Sequence, residues 1–429
     1  MSLATARASL APRRARGTAS VHRRSHRVRT ARTATRIERE SDCITLGAAF
    51  ARRCAALALA LVISTSSCES SLAALNNPNT RLPRSARAAL RRAVPAVNEE
   101  TKFAQTRLED AAYLLRIPQR KPWSAMAKDV DESRRVLSEK KADVLAPVQE
   151  KDREEAEAAY ERLTNALERL SRAAATQDFD AFDGQIASAL EDLSVLQVAQ
   201  APGLPFQIPQ KYTDLPKLVG RATVEIVVRN KDGSNFGLLN GEKLNEATLE
   251  ITVDGYNAPL TAGNFVDNVR RGVYRNAPMR RSETAILGGA SNPDAPSVPL
   301  EIKASDAFDP SYRFPLDVQN GEAIPSIPLS INGSVAMARS SDGQSDKDQF
   351  FVYLFDKRSA GLGGLSFEEG EFSVFGYVTK GEEYLGSIGT NAVIDRAKIT
   401  SGEDKLFNGA VVPIETDFPE STLPEVSEQ

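Results

Sequence analysis

DQFFVYLFDKRSAGLGGLSFEEGEFSVFGYV, residues 348–378, is the stretch that decides the fold of this chain. In its first part, Gln349 to Phe355, large apolar side chains alternate onto both faces of an extended segment, so both faces need to be covered. A glycine-rich loop then leads to a second apolar run, Phe372 to Val378, in which Gly376 permits a bend or a close approach of two backbones. The stretch therefore predicts two buried strands of one sheet, joined by a long loop.

The composition is that of a soluble globular chain with room for two domains. Of the 429 residues, 26% are charged and 41% are hydrophobic. Residues 1–73 contain thirteen Arg and four acidic residues, a local balance of +9, so the remainder of the chain, −3 minus +9, carries −12. An acidic mature protein is a poor candidate for binding nucleic acid or an anionic membrane surface.

Cysteine and histidine are confined to the first 73 residues. The five positions are Cys43, Cys54, Cys68, His22 and His26. If this leader is removed, the mature chain has neither a thiol nor an imidazole. That excludes a catalytic cysteine, a Ser-His-Asp triad, a disulfide framework and nearly every kind of zinc site.

The leader itself, residues 1–73, has two parts. Met1 to about Arg39 is rich in Arg, Ala, Ser and Thr and poor in acid, which is typical of an organellar transit peptide. Arg52 and Arg53 then precede a short apolar run and small residues near Ala73, an arrangement typical of a twin-arginine signal. The run is too short to span a bilayer, so no stable membrane insertion is expected. The order of the two parts predicts the thylakoid lumen, and the alternative is a disordered basic tail.

Residues 84–200 are predicted to form a helical bundle. β-Branched clusters are rare in this segment, and Gly184 is the one glycine between Ser85 and Gln200. Prolines fall between the candidate helices, where the missing N–H does least harm. The predicted helices are Ser85–Val94, Glu99–Arg116, Ser124–Leu145, Val148–Ala175 and Asp178–Ala199.

The last two of these helices carry apolar residues at heptad spacing. The two seams are Ala156, Tyr160, Leu163, Leu167 and Leu170, and Phe179, Phe182, Ile186, Leu190 and Leu193. Joined at Thr176 and Gln177, they can close on each other as an antiparallel hairpin within one chain, or pair with a second copy as a zipper. Trp123, at the start of a helix, either packs into this bundle or contacts a partner.

After the helices, a proline-rich linker (residues 201–220) leads into a region of alternating polarity (residues 221–412). Val224, Ile226 and Val228 alternate with polar residues, as in a half-buried strand, and Pro259 opens an amphipathic helix that stops at Gly272. Several further strands without disulfides predict a closed antiparallel β-barrel capped by helices, and thus an α+β multidomain chain. A long acidic, proline-rich insertion (291–328) suggests binding, and the acidic tail (413–429) is expected to be mobile.

The sequence of the barrel region resembles that of one protein family. The tripeptide Q-F-F at Gln349–Phe351 and V-F-G at Val374–Gly376 resemble the core signature of cyclophilins, and so do P-L-T-A-G-N-F at Pro259–Phe265 and M-A at Met337–Ala338. The resemblance covers about residues 224–388. The sequence from Lys357 to Tyr377 is similar to that of the multidomain cyclophilins of the chloroplast thylakoid lumen. The resemblance implies a peptidyl-prolyl cis-trans isomerase that needs no cofactor and no metal.

It also implies a set of site residues. Arg281 stands where the family has the catalytic guanidinium, and the alternative is an ordinary surface arginine. Phe351 stands where the family has a pocket aromatic, and the alternative is plain barrel core. The full set of substrate-groove residues implied by the resemblance is Met279, Ile286, Met337, Gln349, Phe351, Phe367 and Phe372.

This chain departs from the family pattern around that groove. The stretch Ser282 to Gly289 is about two residues shorter, and the family's supporting glutamine, pocket tryptophan and pocket histidine have no counterpart. A weak isomerase with a degenerate site is therefore expected. The alternative is an inactive cyclophilin-fold scaffold. In both interpretations the partners are proline-containing segments, namely lumenal loops of photosynthetic membrane complexes, and the oligomeric state is left open.

Overall fold

The computed structural model describes residues 82–409, except for 119, 202, 240, 291, 293–295 and 321–322. A helical part is followed by an antiparallel barrel, which confirms the predicted α+β fold. The predicted leader (1–73) and the acidic tail (413–429) lie outside the described residues. Within 82–409, none of the helices has the length and apolar character that a bilayer span requires.

The helical part has the order that the sequence predicts. Its helices are α1 Ala86–Ala93, α2 Glu99–Leu115, α3 Trp123–Glu139, α4 Lys141–Leu145, α5 Arg153–Thr176 and α6 Phe179–Ala199. The third predicted helix is interrupted at Lys140, whose backbone (φ −115°, ψ 26°) leaves the helical region. The fourth begins at Arg153 and not at Val148, because a short 3₁₀ turn precedes it.

Side-chain caps account for three of the helix starts. Ser85, Asn98 and Asp178 each accept a hydrogen bond from the backbone N–H three residues later, at 3.3, 2.9 and 3.0 Å. Each cap satisfies a donor that the helix itself leaves without a partner. Between α5 and α6 the chain reverses at Gln177, which adopts a left-handed conformation (φ 57°) and so ends the longer helix.

The two heptad seams meet within one chain. All their residues are buried except Phe179. Hydrogen bonds from Arg162 to Asp192 (2.7 Å) and from Arg169 to Gln185 (2.5 Å) connect the two helices in antiparallel order. Trp123 packs edge-on against Phe182 at 5.7 Å. Both seams therefore serve the core of the bundle, as in the intramolecular alternative.

Helix α1 does not share that core. Its apolar residues Ala86, Ala89, Leu90 and Ala93 are buried in one cluster with apolar residues of the barrel, and helices α2 to α6 form a cluster of their own. The first of the described helices is thus part of the packing of the barrel.

The strands of the second part, with one helix among them, follow in chain order. They are β1 Lys217–Leu218, β2 Arg221–Asn230, β3 Leu238–Leu239, β4 Glu242–Lys243, β5 Glu246–Asp254, helix α7 Pro259–Arg270, β6 Met279–Arg281, β7 Ala285–Gly288, β8 Glu301–Ile302, β9 Ser311–Tyr312, β10 Ser334–Arg339, β11 Ser345–Tyr353, β12 Val374–Lys380, β13 Ala392–Ser401 and β14 Leu406–Phe407.

Eight of these strands form one antiparallel sheet in the order β13-β2-β5-β12-β10-β11-β7-β6. An isolated bridge between Pro278 and Val393 joins the two ends of this row, so the sheet closes almost completely. Closure removes the free edges that an open sheet would expose. Helix α7 covers the barrel, and its Phe265 lies 4.8 Å from the ring of Phe375.

One buried ion pair joins α1 to the barrel. The guanidinium of Arg221 donates to Asp254 at 2.8 and 2.9 Å and also to the carbonyl oxygen of Leu90. Asn257 donates to the carbonyl oxygen of Ala93 at 2.9 Å. Both acceptors lie at the C-terminal end of α1, where carbonyl groups need partners from outside the helix.

The acidic insertion is held by buried glutamates. Glu301, 1% exposed, accepts hydrogen bonds from the backbone N–H groups of Leu260 (3.3 Å) and Thr261 (2.8 Å) at the start of α7. Glu369 accepts in the same way from Leu329 and Ser330, both at 2.8 Å. Glu301 therefore ties the insertion to helix α7, and Glu369 ties its C-terminal flank to the loop that precedes β12.

Glu301 should make stability depend on pH. Burial raises its pKa from 4.5 to about 7 in spite of the two backbone donors. The folded chain therefore binds a proton more tightly than the unfolded chain, so this group lowers stability above pH 7 and ceases to do so below pH 4.5. We expect the free energy of unfolding to rise as pH falls from 8 to 5, with up to about 3 kcal/mol due to Glu301.

Urea unfolding of the wild type and of Glu301→Gln at a series of pH values checks this expectation. The amide cannot titrate, so the variant should show a shallower dependence on pH. Identical pH profiles for the two proteins would contradict the assignment.

Candidate functional site

The two faces of strand β11 have different surroundings. Phe350 points into the barrel, where its ring lies 5.2 Å from Phe265 and 5.1 Å from Tyr274. Successive side chains of a strand point to opposite faces. Phe351 and Tyr353 therefore lie on the other, outer face.

An aromatic row runs along that outer face. The ring centroid of Phe351 lies 5.0 Å from that of Phe372 and 6.4 Å from that of Tyr353. The ring of Tyr353 in turn stacks on Phe355, with 6.4 Å between their centroids. The hydroxyl of Tyr353 shares a hydrogen bond of 2.8 Å with Ser366, which anchors the row to the loop that follows β11. Phe351 and Tyr353 are buried, and Phe355 and Phe372 are only partly buried, so the accessible apolar surface of the row comes mainly from these last two rings.

Three of the predicted groove residues lie in the barrel core. Met279 and Met337 are each 1% exposed, and Ile286 has no exposed surface. The strand register agrees with this placement, because Met337 and Met279 share the inward face with Phe350. The structure therefore does not bring these three side chains together with Phe351 on the outer face.

The two neighbouring arginines of β6 point in different directions. Arg281 pairs with Ile286, and its guanidinium donates to the carbonyl oxygens of Leu385 (2.6 Å) and Ile388 (2.9 Å). It is thus tied to the loop that precedes β13. Its neighbour Arg280 pairs with Leu287 and is exposed.

Arg280 shares the face of the aromatic row. Leu287 lies opposite Phe351 in the next strand pair, so Arg280, Leu287 and Phe351 form one row across three strands. Two strand spacings correspond to about 10 Å between the outer members, a gap that the long side chain of Arg280 can largely bridge. Among the described residues, none forms an ion pair or side-chain hydrogen bond with Arg280.

Gln349 and Phe367 are not members of the row. Gln349 is buried and lies 3.5 Å from the carbonyl oxygen of Gly289. Phe367 is 69% exposed and covers Gly361, where a Cβ atom would lie 2.9 Å from its ring. Phe367 thus stands apart from Phe351 and Phe372, which are in direct contact with each other.

Sequence reasoning did not select Arg280, Tyr353 and Phe355 as site residues. The period-two pattern of a strand could have found the two aromatics, since they follow Phe351 at positions i+2 and i+4. No sequence signal distinguishes Arg280 from Arg281. The arrangement as a whole offers an apolar aromatic surface beside an exposed guanidinium.

Comparison with known families agrees with this architecture. The family described as "Peptidyl-prolyl cis-trans isomerase CYP38-like, PsbQ-like domain" matches residues 85–198. The family described as "Cyclophilin type peptidyl-prolyl cis-trans isomerase/CLD" matches residues 242–407. The two matches correspond to the helical part and to the barrel.

Similar proteins are known from chloroplasts and cyanobacteria. The chain is 43% identical over 342 residues to "Peptidyl-prolyl cis-trans isomerase CYP37, chloroplastic" of Arabidopsis thaliana, which covers 78% of this chain and 73% of that protein. It is 33% identical over 338 residues to "Putative thylakoid lumen peptidyl-prolyl cis-trans isomerase sll0408" of Synechocystis, which covers 75% and 84%. It is 28% identical to "Peptidyl-prolyl cis-trans isomerase CYP38, chloroplastic" of Arabidopsis, with 75% of each covered.

These names support the chloroplast thylakoid lumen as the location of the chain. The order of a helical domain and a barrel agrees with both family matches, and the identity of 43% extends over most of both proteins. The chain belongs to the multidomain chloroplast cyclophilins, within the family of cyclophilin-type peptidyl-prolyl cis-trans isomerases.

Proposed function

We propose that the protein is a weak peptidyl-prolyl cis-trans isomerase of the thylakoid lumen that acts on the outer face of strand β11. The observation that carries the proposal is the row of Arg280, Leu287 and Phe351 across three strands, with Phe372 beside Phe351. The aromatic surface would hold the proline ring. The guanidinium would lie beside the peptide bond that rotates.

The reaction needs no covalent chemistry. Resonance in the amide gives a rotation barrier of about 20 kcal/mol, and this resonance is lost when the bond is twisted. The nitrogen of a twisted amide becomes a better hydrogen-bond acceptor, so a donor at that atom stabilises the transition state more than the ground state. Arg280 supplies such a donor, and the guanidinium of Arg281 is already bound to two carbonyl oxygens.

Two features argue for a low rate. Met279, Ile286 and Met337 are buried in the core and cannot wrap around a proline ring. Arg280 is exposed to solvent, so water weakens any hydrogen bond from its guanidinium to a substrate, and no neighbouring group among the described residues fixes its position. The site would therefore hold its substrate on one side only.

The proposed substrates are proline-containing segments of lumenal proteins. The match of residues 85–198 to a domain described as PsbQ-like supports a role beside photosynthetic membrane complexes, in their assembly or maintenance. A second candidate function is a scaffold that binds such segments without turnover, which the exposed ring of Phe367 and the one-sided groove favour.

A protease-coupled assay with a neutral proline tetrapeptide tests the proposal on the mature chain. We expect Arg280→Ala to lower kcat/KM by about tenfold or more, because the transition state loses its donor. Arg281→Ala should keep kcat/KM for each folded molecule and lower the Tm, because the carbonyl oxygens of Leu385 and Ile388 lose their partner. Arg275→Ala, an exposed arginine outside the row, is the matched control.

The outcomes separate the alternatives. If Arg281→Ala loses activity without a change in Tm, the guanidinium implied by the family resemblance is the catalytic one. If the wild type accelerates nothing while it still binds the peptide, the scaffold function stands in place of the enzyme.

A further inference from the structure

A basic cleft lies between the helical part and the barrel. It encloses about 600 Å³ between helices α1 and α2 on one side and the segment that follows β11 on the other. Its charged lining consists of Arg84, Arg91, Arg92, Arg116, Lys357 and Glu109. Five basic groups and one acidic group give +5 − 1 = +4, in a chain that carries −12 from residue 74 onward.

The one acidic side chain of that lining is already paired. Glu109 accepts from Arg91 at 3.0 Å and from Arg92 at 2.6 Å, so each of its oxygens has a guanidinium partner. Arg84, Arg116 and Lys357 are exposed. Within the described part of the chain, no carboxylate lies within ion-pair distance of these three side chains. The cleft therefore has a surplus of positive charge that the fold itself does not use.

The cleft also has an apolar wall. Leu82, Leu190, Phe355 and Leu365 line it together with the basic groups. A ligand that fits both the basic groups and the apolar wall must combine carboxylates with apolar side chains, as a polypeptide segment does. A volume of 600 Å³ is also far larger than a small inorganic anion requires.

Phe355 connects this cleft to the aromatic row. It ends the row of Phe351, Tyr353 and Phe355, and it is also part of the lining of the cleft. At about 3.3 Å per residue, the four positions from Phe351 to Phe355 correspond to about 13 Å. An extended peptide with its proline over Phe351 would thus bring residues about four positions away to the cleft.

We propose that the cleft binds acidic residues of the client polypeptide, so that the protein selects proline-containing segments with carboxylates about four residues from the proline. Arg84, Arg116 and Lys357 would pair with these carboxylates, and Phe355 would cover the apolar part of the segment. The position of the proline rests on the proposed function above. The binding of carboxylates by the cleft rests on the charge of the lining alone.

Two fluorescein-labelled 14-residue peptides test this on the mature chain by fluorescence anisotropy. One has a central proline flanked by Glu and Asp, and the other carries Gln and Asn in their place. We expect the acidic peptide to bind about tenfold more tightly at low salt, and the difference to shrink at 0.5 M salt because the pairs are screened.

The triple variant Arg84→Glu, Arg116→Glu and Lys357→Glu should lose this preference. The matched control is Arg172→Glu, Arg275→Glu and Lys398→Glu, which makes the same change of net charge at exposed positions outside the cleft. The control should retain the preference, and a Tm measurement on both triples checks that they are folded.

Equal affinity of the wild type for the two peptides would overturn the proposal, as would a cleft triple that retains the preference or a control that loses it equally. Isomerisation of the neutral tetrapeptide is measured on the same proteins, since the cleft triple should leave that rate unchanged. A wild type that prefers the acidic peptide but accelerates no isomerisation refutes the enzyme and retains the cleft. A wild type that accelerates isomerisation but shows no preference for the acidic peptide refutes the proposed binding by the cleft and retains the proposed enzyme activity.

Discussion

Arg221→Met is expected to lower the free energy of unfolding by about 3–5 kcal/mol, because it leaves a buried charge without its partner. Asp254 has no exposed surface, and Arg221 donates to it at 2.8 and 2.9 Å. The same guanidinium also donates to the carbonyl oxygen of Leu90 in α1. The variant therefore loses both the counter-charge of Asp254 and a link between α1 and the barrel.

Urea unfolding measures this loss, with Arg229→Met as the matched control. Arg229 lies on the same strand and pairs with Asp395 at 2.7 Å, but both side chains of that pair are substantially exposed. Pairs of this kind contribute about 0–1 kcal/mol. Equal costs for the two variants would show that burial of Asp254 does not govern the effect.

Gly376→Ala has the second largest expected effect, about 3 kcal/mol of lost stability. A Cβ atom at this position would lie 2.4 Å from the backbone oxygen of Thr252 in the neighbouring strand. A flexible side chain could move away, but a backbone group held in a closed sheet cannot do so without separating β12 from β5. The third residue of V-F-G is therefore a point of contact between two backbones.

Gly184→Ala is the control for that variant. This glycine lies within α6, and an added Cβ would meet nothing within 4 Å. The same substitution should here raise stability by about 0.5–1 kcal/mol, since alanine restricts the unfolded chain and favours the helix. A Gly376→Ala protein as stable as the wild type would mean that the strands can separate at little cost. Thermal unfolding of both variants decides.

The order of the elements could be predicted from the sequence because it depends on local patterns. The heptad seams of α5 and α6 and the alternation in β2 are readable from neighbouring residues alone. The break of the third helix at Lys140 was not predicted, since no proline or glycine marks it. Propensity alone gives no reason for a helix to stop there.

The faces of the site could not be predicted in the same way. A shift of register by one residue exchanges the two faces of a strand, and the register of β6 on β7 cannot be read from the sequence. A motif thus indicates which residues lie near one another, but the pairing of Arg280 with Leu287 decides which arginine shares the face of Phe351. The basic cleft was missed for another reason. Arg84 and Lys357 are far apart in sequence, and only the packed fold brings them to one cavity.

The packing of α1 against the barrel has a consequence for how the chain folds during synthesis. Leu90 and Ala93 receive their hydrogen bonds from residues 131 and 164 positions later, so α1 leaves the ribosome long before its partners exist. The carbonyl oxygen of Ala93 has its partner only once residue 257 has been made. Helices α2 to α6 have their own core and can assemble in the meantime. Helix α1 is therefore made early and finds these partners late, and it ties the N-terminal part of the described chain to the barrel.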